Sequence, residues 1–141
     1  MKLAIVTLLL LLSWPEASPS QVAVIAHKSV PIDHIEKSEL LDFFTGDIKK
    51  WNDEQPVVIL DLKPRGDIKK AFYKFLGKSP SRMKSIWLKK MLSGEGDPPL
   101  SMKSEMGLLE KVASTPGAIG FVGQRQSTGD VKMLLWIEEE K

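Results

Sequence analysis

The sequence contains no cysteine. This absence excludes a disulfide framework, a thiol nucleophile, a thiolate metal site and a lipid-modified cysteine anchor. An excess of charge of one sign is also lacking, since 20 Lys and Arg residues face 18 Asp and Glu residues. The resulting net charge of +2 is too small to indicate a nucleic-acid-binding protein. The 141 residues, 43% of them hydrophobic, are enough for one folded domain with a buried core.

Motifs of the common enzyme classes are missing as well. The sequence has no G-x-S-x-G, no H-E-x-x-H, no Walker loop and no paired-carboxylate motif. Near its two histidines, His27 and His34, only Asp33 and Glu36 could add metal ligands, which is a poor match to metal-site spacing. We therefore predict a protein that is not an enzyme and has no metal and no cofactor. An active site assembled from distant residues is the less favoured alternative.

The N-terminal segment has the pattern of a secretory signal peptide. Lys2 precedes an apolar run over residues 3–12, and small residues within 17–20 offer a cleavage site. The run is too short to cross a bilayer easily, and no later stretch reaches transmembrane length. We predict a signal peptide over residues 1–20 and a mature domain over residues 21–141, without a stable membrane anchor. An uncleaved anchor is the alternative, and the periplasm is the predicted location.

Segments with strand and helix patterns alternate along the mature chain. Ser38 and Pro80 are typical of helix starts, and Gly46 and Gly77 of helix ends. The alternation predicts an α/β fold, with a mostly parallel sheet flanked by helices and the last strand free to lie at an edge. The strands are expected at residues 22–26, 57–60, 118–122 and 131–137, and the buried helix positions include Ile68, Phe72, Met83, Trp87, Met91, Met106, Leu109 and Val112.

Two segments resemble a known family. Residues 43–53, FFTGDIKKWND, are similar to the F-x-G-x-I-x-x-W-x-D segment of the phosphate-binding proteins of bacterial ABC transporters. Residues 115–122, TPGAIGFV, resemble the T-P-G-A-I-G-Y-V segment of the same proteins. The resemblance extends over residues 22–137 and implies a single lobe of the type II periplasmic-binding-protein fold. Full-length relatives have two lobes, so this chain resembles the short single-lobe forms and is expected to be an exported solute-binding protein.

The resemblance also implies where a ligand would bind. The family keeps a phosphate loop such as G-S-G-T between the second strand and the following helix, where this chain has residues 64–68, PRGDI. The hydroxyl groups are missing, and a helix N-terminus with Arg65 and Gly66 remains as a possible anion site. Asp67 either caps this helix or contacts the anion by accepting a phosphate proton.

A fourth candidate ligand residue is Ser29, which lies in the loop after the first strand. In parallel sheets ligands gather beyond the carboxyl ends of the strands, so the loops after Ala26 and Leu60 are expected to meet. Residues 94–96 and 115–117 are expected near the same place. The predicted ligand-binding residues are therefore Ser29, Arg65, Gly66 and Asp67.

A strongly basic segment covers residues 63–90. It contains ten Lys and Arg residues and one acidic residue, Asp67. These charges either form a solvated face of two helices or attract an acidic partner, an anionic ligand or a membrane surface. Export and the absence of an aromatic ladder argue against nucleic acid. Two hypotheses follow: the protein binds phosphate or a similar small anion, or it is a cell-envelope module that binds a protein partner and no small molecule.

Overall fold

The computed structural model describes residues 21–63, 66–123 and 129–138. The predicted signal peptide, residues 1–20, lies outside the described residues. The described parts form five strands and four helices. In chain order these are β1 (Val22–Ala26), α1 (Lys37–Thr45), β2 (Val58–Leu62), α2 (Asp67–Leu76), α3 (Pro80–Leu92), β3 (Leu100–Met102), α4 (Glu105–Ser114), β4 (Ala118–Gly123) and β5 (Lys132–Ile137).

The strands form one sheet with the order β3-β2-β4-β1-β5. Strand β2 pairs in parallel with β3 and with β4, whereas β1 pairs antiparallel with both β4 and β5. Four of the five strands therefore run in one direction and β1 alone runs against them, which confirms the predicted mostly parallel α/β sheet. Strand β5 is an outer strand of the sheet. Strand β1 is fully buried because it has a neighbour on each side and is covered on both faces.

Helices cover both faces of the sheet. On one face the ring of Phe121 stacks on that of Phe72 at 3.9 Å between centroids, and Phe44 packs edge-on to Phe72. These contacts hold α1 and α2 against the centre of the sheet. On the other face Leu108 of α4 packs so closely over Gly120 that an added Cβ would lie 2.8 Å from the leucine side chain. Gly120 therefore allows the close approach of α4 to the sheet.

The helix ends confirm most of the predicted signals. Helices α1 and α2 end at Gly46 and Gly77, whose φ angles are 76° and 74°. Pro80 opens α3, and Ser79 caps it by accepting a hydrogen bond from the Arg82 amide at 3.1 Å. The prediction that Ser38 caps α1 is wrong. The helix begins at Lys37, and the cap position is taken by Glu36, two residues before Ser38, with no side-chain capping bond.

Three other details differ from the sequence prediction. Met91 and Met106 are 49% and 54% exposed, although both were expected inside. In α4 the buried positions are Leu108 and Val112, so the helix is rotated from the predicted stripe. Strand β3 was not predicted, because three residues after Pro98 and Pro99 are too few to show an alternating pattern. Within the described residues no helix combines the length and the apolar character needed to cross a membrane.

Candidate anion-binding site

The direction of β1 separates the predicted site residues. Because β1 runs against its neighbours, its carboxyl end pairs with the amino end of β4, where Ala26 faces Ile119. Its amino end pairs with the carboxyl end of β4, where Val22 faces Gly123. The loop after β1 and the loop after β2 therefore lie at opposite edges of the sheet, where an edge means the row formed by the strand ends and not an outer strand. Six residues of β4, or roughly 16 Å at about 3.3 Å per residue, separate them.

Ser29 lies at the edge formed by the amino ends of β2 and β4. Its hydroxyl accepts hydrogen bonds from the Gly117 amide at 3.2 Å and the Gln55 side chain at 3.0 Å, and it lies 2.8 Å from His27 Nδ1. The prediction that Ser29 shares a site with Gly66 is wrong, because the carboxyl end of β1 lies at this edge. The hydroxyl instead fastens the loop after β1 to the turn before β4.

The two segments that carry the family resemblance meet at this same edge. The Trp51 side chain donates from Nε1 to the Gly117 carbonyl oxygen at 2.9 Å, and its ring lies 4.7 Å from that of Phe43. Trp51 is 2% exposed, and its buried side chain joins the loop after α1 to the turn before β4. Residues 115–117 thus belong to a structural junction at the edge remote from Gly66.

Gly66 and Asp67 lie at the opposite edge, where β2 leads into α2. Gly66 occupies the cap position of the helix, and no side chain accepts a capping bond there. Asp67 is the first helical residue, so the prediction that its side chain caps α2 is wrong. An added Cβ on Gly66 would meet no atom within 4 Å, so the backbone is open on this side. Arg65 lies outside the described residues.

Other elements meet at this edge of the sheet. The Gly123 amide, at the end of β4, donates to the carboxylate of Glu105 in the first turn of α4. An added Cβ on Gly123 would lie 3.0 Å from Ile68 in the first turn of α2. The N-termini of α2 and α4 therefore flank the carboxyl end of β4. A helix N-terminus presents amide N–H groups and a partial positive charge, which favour an anion.

A half-open cavity begins at Gly66 and extends between α2, α3 and the β2–β3 side of the sheet. Its volume is about 760 Å³. The lining includes four lysines and one carboxylate, so the cavity has an excess of positive charge. These residues are Lys63, Lys69, Lys70, Lys84 and Asp61. The arrangement can attract and hold an anion.

Asp61 anchors a polar cluster in the wall of this cavity. Tyr73 donates its hydroxyl to Asp61 Oδ2 at 2.6 Å, and Lys69 Nζ lies 3.5 Å from the same oxygen. Lys69 also donates to the Leu62 carbonyl oxygen at 2.6 Å. Burial, followed by the nearby negative charge of Asp61, raises the pKa of the Tyr73 phenol well above its ordinary value. The phenol therefore remains a hydrogen-bond donor at all physiological pH values.

The basic segment of residues 63–90 is not solvated throughout, because two of its lysines are mostly buried. The side chain of Lys69 is only 18% exposed because it folds back against β2. Lys90 is 15% exposed and donates to Asp47 Oδ1 at 2.8 Å, joining α3 to the loop after α1. This hydrogen bond holds the pKa of the Asp47 carboxyl below its ordinary value. Two of the ten cations thus support packing, whereas Lys63, Lys70 and Lys84 are exposed along the cavity.

Sequence reasoning missed Asp61 and Tyr73. The available signal was a carboxylate within the apolar run of β2, because a buried charge in a strand requires a partner. Residues 94–96 do not join Gly66. Glu95 accepts a hydrogen bond from Lys49 through its carbonyl oxygen, and Gly96 lines a second cavity of about 370 Å³. Trp87 lines both cavities.

Three solved structures show where this architecture occurs. A protein from Clostridium perfringens, described as a phosphate ABC transporter substrate-binding protein and holding bound phosphate, is 16% identical with a TM-score of 0.68. An ABC-type phosphate transport receptor from Vibrio cholerae is 15% identical with a TM-score of 0.67. PstS from Borrelia burgdorferi is 14% identical with a TM-score of 0.61.

Each alignment covers 83% of this chain but only 45%, 46% and 48% of the other chain, so this chain spans less than half of each protein. No protein-family model matches the sequence, and no curated protein matches it. The likeness confirms the predicted fold, a single lobe of the phosphate-binding-protein architecture.

Proposed function

We propose that this protein is an exported, periplasmic anion-binding protein without enzymatic activity, and that it binds phosphate or a similar anion at the N-terminus of α2. The observation that carries the proposal is the open cap of α2 at Gly66. There, no side chain caps the helix, and Gly66 lines a cavity that four lysines also line. The solved proteins of the same fold include phosphate-transport receptors, one of them with bound phosphate.

The proposed site consists of Arg65, Gly66 and Asp67, assisted by Lys63. Gly66 brings backbone amides to the anion, and the cationic side chains add charge-assisted hydrogen bonds. Ser29 is left out because it lies at the other edge of the sheet. A single lobe leaves its ligand partly in water, so these bonds contribute less than they would in a closed cleft. We therefore expect weaker binding than a two-lobed receptor would show.

Isothermal titration of the purified chain with phosphate tests the proposal, with sulfate as the competing anion and with low and physiological salt. We expect phosphate-selective binding that survives physiological salt and weakens at least about tenfold in Arg65→Ala. Lys111→Ala is the matched control, because Lys111 is exposed on α4, away from the site. Weak binding that sulfate shares and salt abolishes would refute the proposal.

Asp67→Asn in the same titration identifies the role of this carboxylate. If Asp67 accepts a phosphate proton, the variant binds phosphate more weakly. If it only repels the anion, the variant binds more tightly. We expect weaker binding, because the carboxylate of Asp67 makes no capping bond to α2 and is therefore free to accept the phosphate proton.

The second candidate function is a cell-envelope module that binds a protein partner and no small molecule. It is favoured by the C-terminal end of α3, where Leu88, Met91 and Leu92 are 54%, 49% and 81% exposed. Exposed apolar groups on a small domain often mark an interaction surface. A titration in which phosphate produces no heat would support this candidate over the first.

A further inference from the structure

The cavity that begins at Gly66 continues beyond the space that an inorganic anion needs. Its volume of about 760 Å³ lies within the range of roughly 300–1,000 Å³ that is typical of sites for organic molecules. A phosphate ion at the N-terminus of α2 would contact only the end formed by Gly66 and Lys63. The rest of the cavity runs along α3 towards the loop that follows it.

The part of the cavity along α3 is apolar. Met83, Trp87, Leu88 and Met91 contribute four large side chains from one helix, and Pro98 and Pro99 close the end. Leu88 and Met91 are about half exposed, so a ligand could still remove apolar surface from water there. An inorganic anion would gain nothing from this wall.

The charged part of the cavity excludes a purely apolar ligand. Lys63 and Lys70 line it from the β2–α2 side, and Lys84 lines it from α3. In the part of the chain that the structure describes, no carboxylate forms an ion pair with any of these three lysines. Asp61 is already held by Tyr73 and Lys69. Like charges around one cavity repel each other, and a bound anion would relieve that repulsion.

From these two parts we infer that the cavity binds a small organic anion, with a compact anionic group at Gly66 and the lysines and an apolar group against Trp87, Leu88 and Met91. This inference rests on the proposed anion site and names the class of its ligand. A phosphate monoester with a short alkyl chain has this chemistry.

Calorimetric titration with inorganic phosphate, octyl phosphate and uncharged octyl glucoside tests the inference, with both octyl compounds kept below the concentration at which they form micelles. We expect octyl phosphate to bind at least about tenfold more tightly than phosphate, and octyl glucoside to show no binding. Equal affinity for the two phosphates would overturn the inference and leave the proposed function standing. Failure of both phosphates to bind would refute the proposed function and, with it, this inference.

Variants of exposed residues locate the apolar part of the ligand without disturbing the core. Leu88→Ser with Met91→Ser should weaken octyl phosphate about tenfold and leave inorganic phosphate unchanged. Leu92→Ser is the matched control, because Leu92 is the most exposed of the three and does not line the cavity. Equal weakening of octyl phosphate by the control would overturn the inference.

The charged part has its own pair of variants. Lys84→Gln should weaken octyl phosphate, whereas Lys89→Gln should not, because Lys89 is exposed on the same helix outside the cavity. Sedimentation with phosphatidylglycerol vesicles separates a lipid surface from a soluble ligand. Vesicle binding that depends on Leu92, without binding of octyl phosphate, would assign the surface to a membrane and overturn the inference.

Discussion

Replacing Tyr73 by Phe tests the polar cluster in the cavity wall. The change removes one hydroxyl, whose hydrogen bond to Asp61 Oδ2 is 2.6 Å long, from a residue that is 3% exposed. A hydrogen bond to a charged group contributes roughly 1.5–3 kcal/mol. Asp61 keeps the Leu62 amide at 2.8 Å and Lys69 at 3.5 Å, so we expect the lower end of that range. A loss of about 1.5 kcal/mol lowers the melting temperature by about 6 °C in a domain of this size.

The same cluster predicts how stability changes at alkaline pH. The folded chain holds the Tyr73 pKa above its ordinary value of 10.0, whereas the unfolded chain does not. The stabilisation is therefore complete below pH 10 and is lost as the pH rises towards the folded pKa. In that interval unfolding releases one proton from the phenol, which costs the native state about 1.4 kcal/mol per pH unit. Tyr73→Phe removes this contribution to the slope.

Tyr73 is the only tyrosine of the chain, so tyrosinate absorbance reports on this residue alone. We expect no tyrosinate signal until the circular dichroism shows alkaline unfolding. Urea unfolding of both forms, from neutral pH to above pH 10, measures the difference in slope. A tyrosinate signal with an ordinary midpoint in a chain that is still folded, or equal slopes for the two forms, would refute this account of the cluster.

Two further predictions concern the turn before β4 and the ion pair between α3 and the loop after α1. Gly117→Ala should lower the free energy of unfolding by clearly more than Gly77→Ala. Both residues have φ near +75°, which costs alanine about 1–2 kcal/mol, but only at Gly117 would the Cβ overlap a backbone carbonyl oxygen. Equal losses in urea unfolding would contradict this. Lys90→Met should destabilise the chain above pH 3.8, the ordinary pKa of the Asp47 carboxyl, and progressively less below it. Lys90 lowers this pKa in the folded chain, so Asp47 loses its charge there only as the pH falls through the lowered pKa. A difference in unfolding midpoint that does not change with pH would contradict this second prediction.

Local sequence patterns predicted most of the secondary structure. Strand β1 has the predicted bounds, and the helix-ending glycines Gly46 and Gly77 both have the left-handed φ that ends a helix. These features depend on residues close together in the chain, so the sequence displays them directly. The errors at Ser38 and Met106 arose where capping and helix rotation are decided by packing against the sheet.

The candidate site could be predicted only in part. The loop before α2 was predicted from its position between the second strand and the following helix, where the resembling family keeps a phosphate loop, and Gly66 and Asp67 do lie at a helix N-terminus. The grouping with Ser29 failed because strand direction is not written in the local pattern of a buried strand. An apolar run such as VAVIA has the same appearance in either direction, yet its direction decides at which edge the next loop lies.

The sequence by itself therefore determined the α/β class, most of the helix and strand positions and the basic character of residues 63–90, because these follow from composition and short-range periodicity. Only the tertiary structure decided which of those charges are available to a ligand. Lys69 and Lys90 are held by Asp61 and Asp47, which lie 8 and 43 positions away along the chain. The cavity likewise exists only because α3 packs beside the sheet and leaves space in front of Gly66, and such a gap between elements has no signature in any one of them.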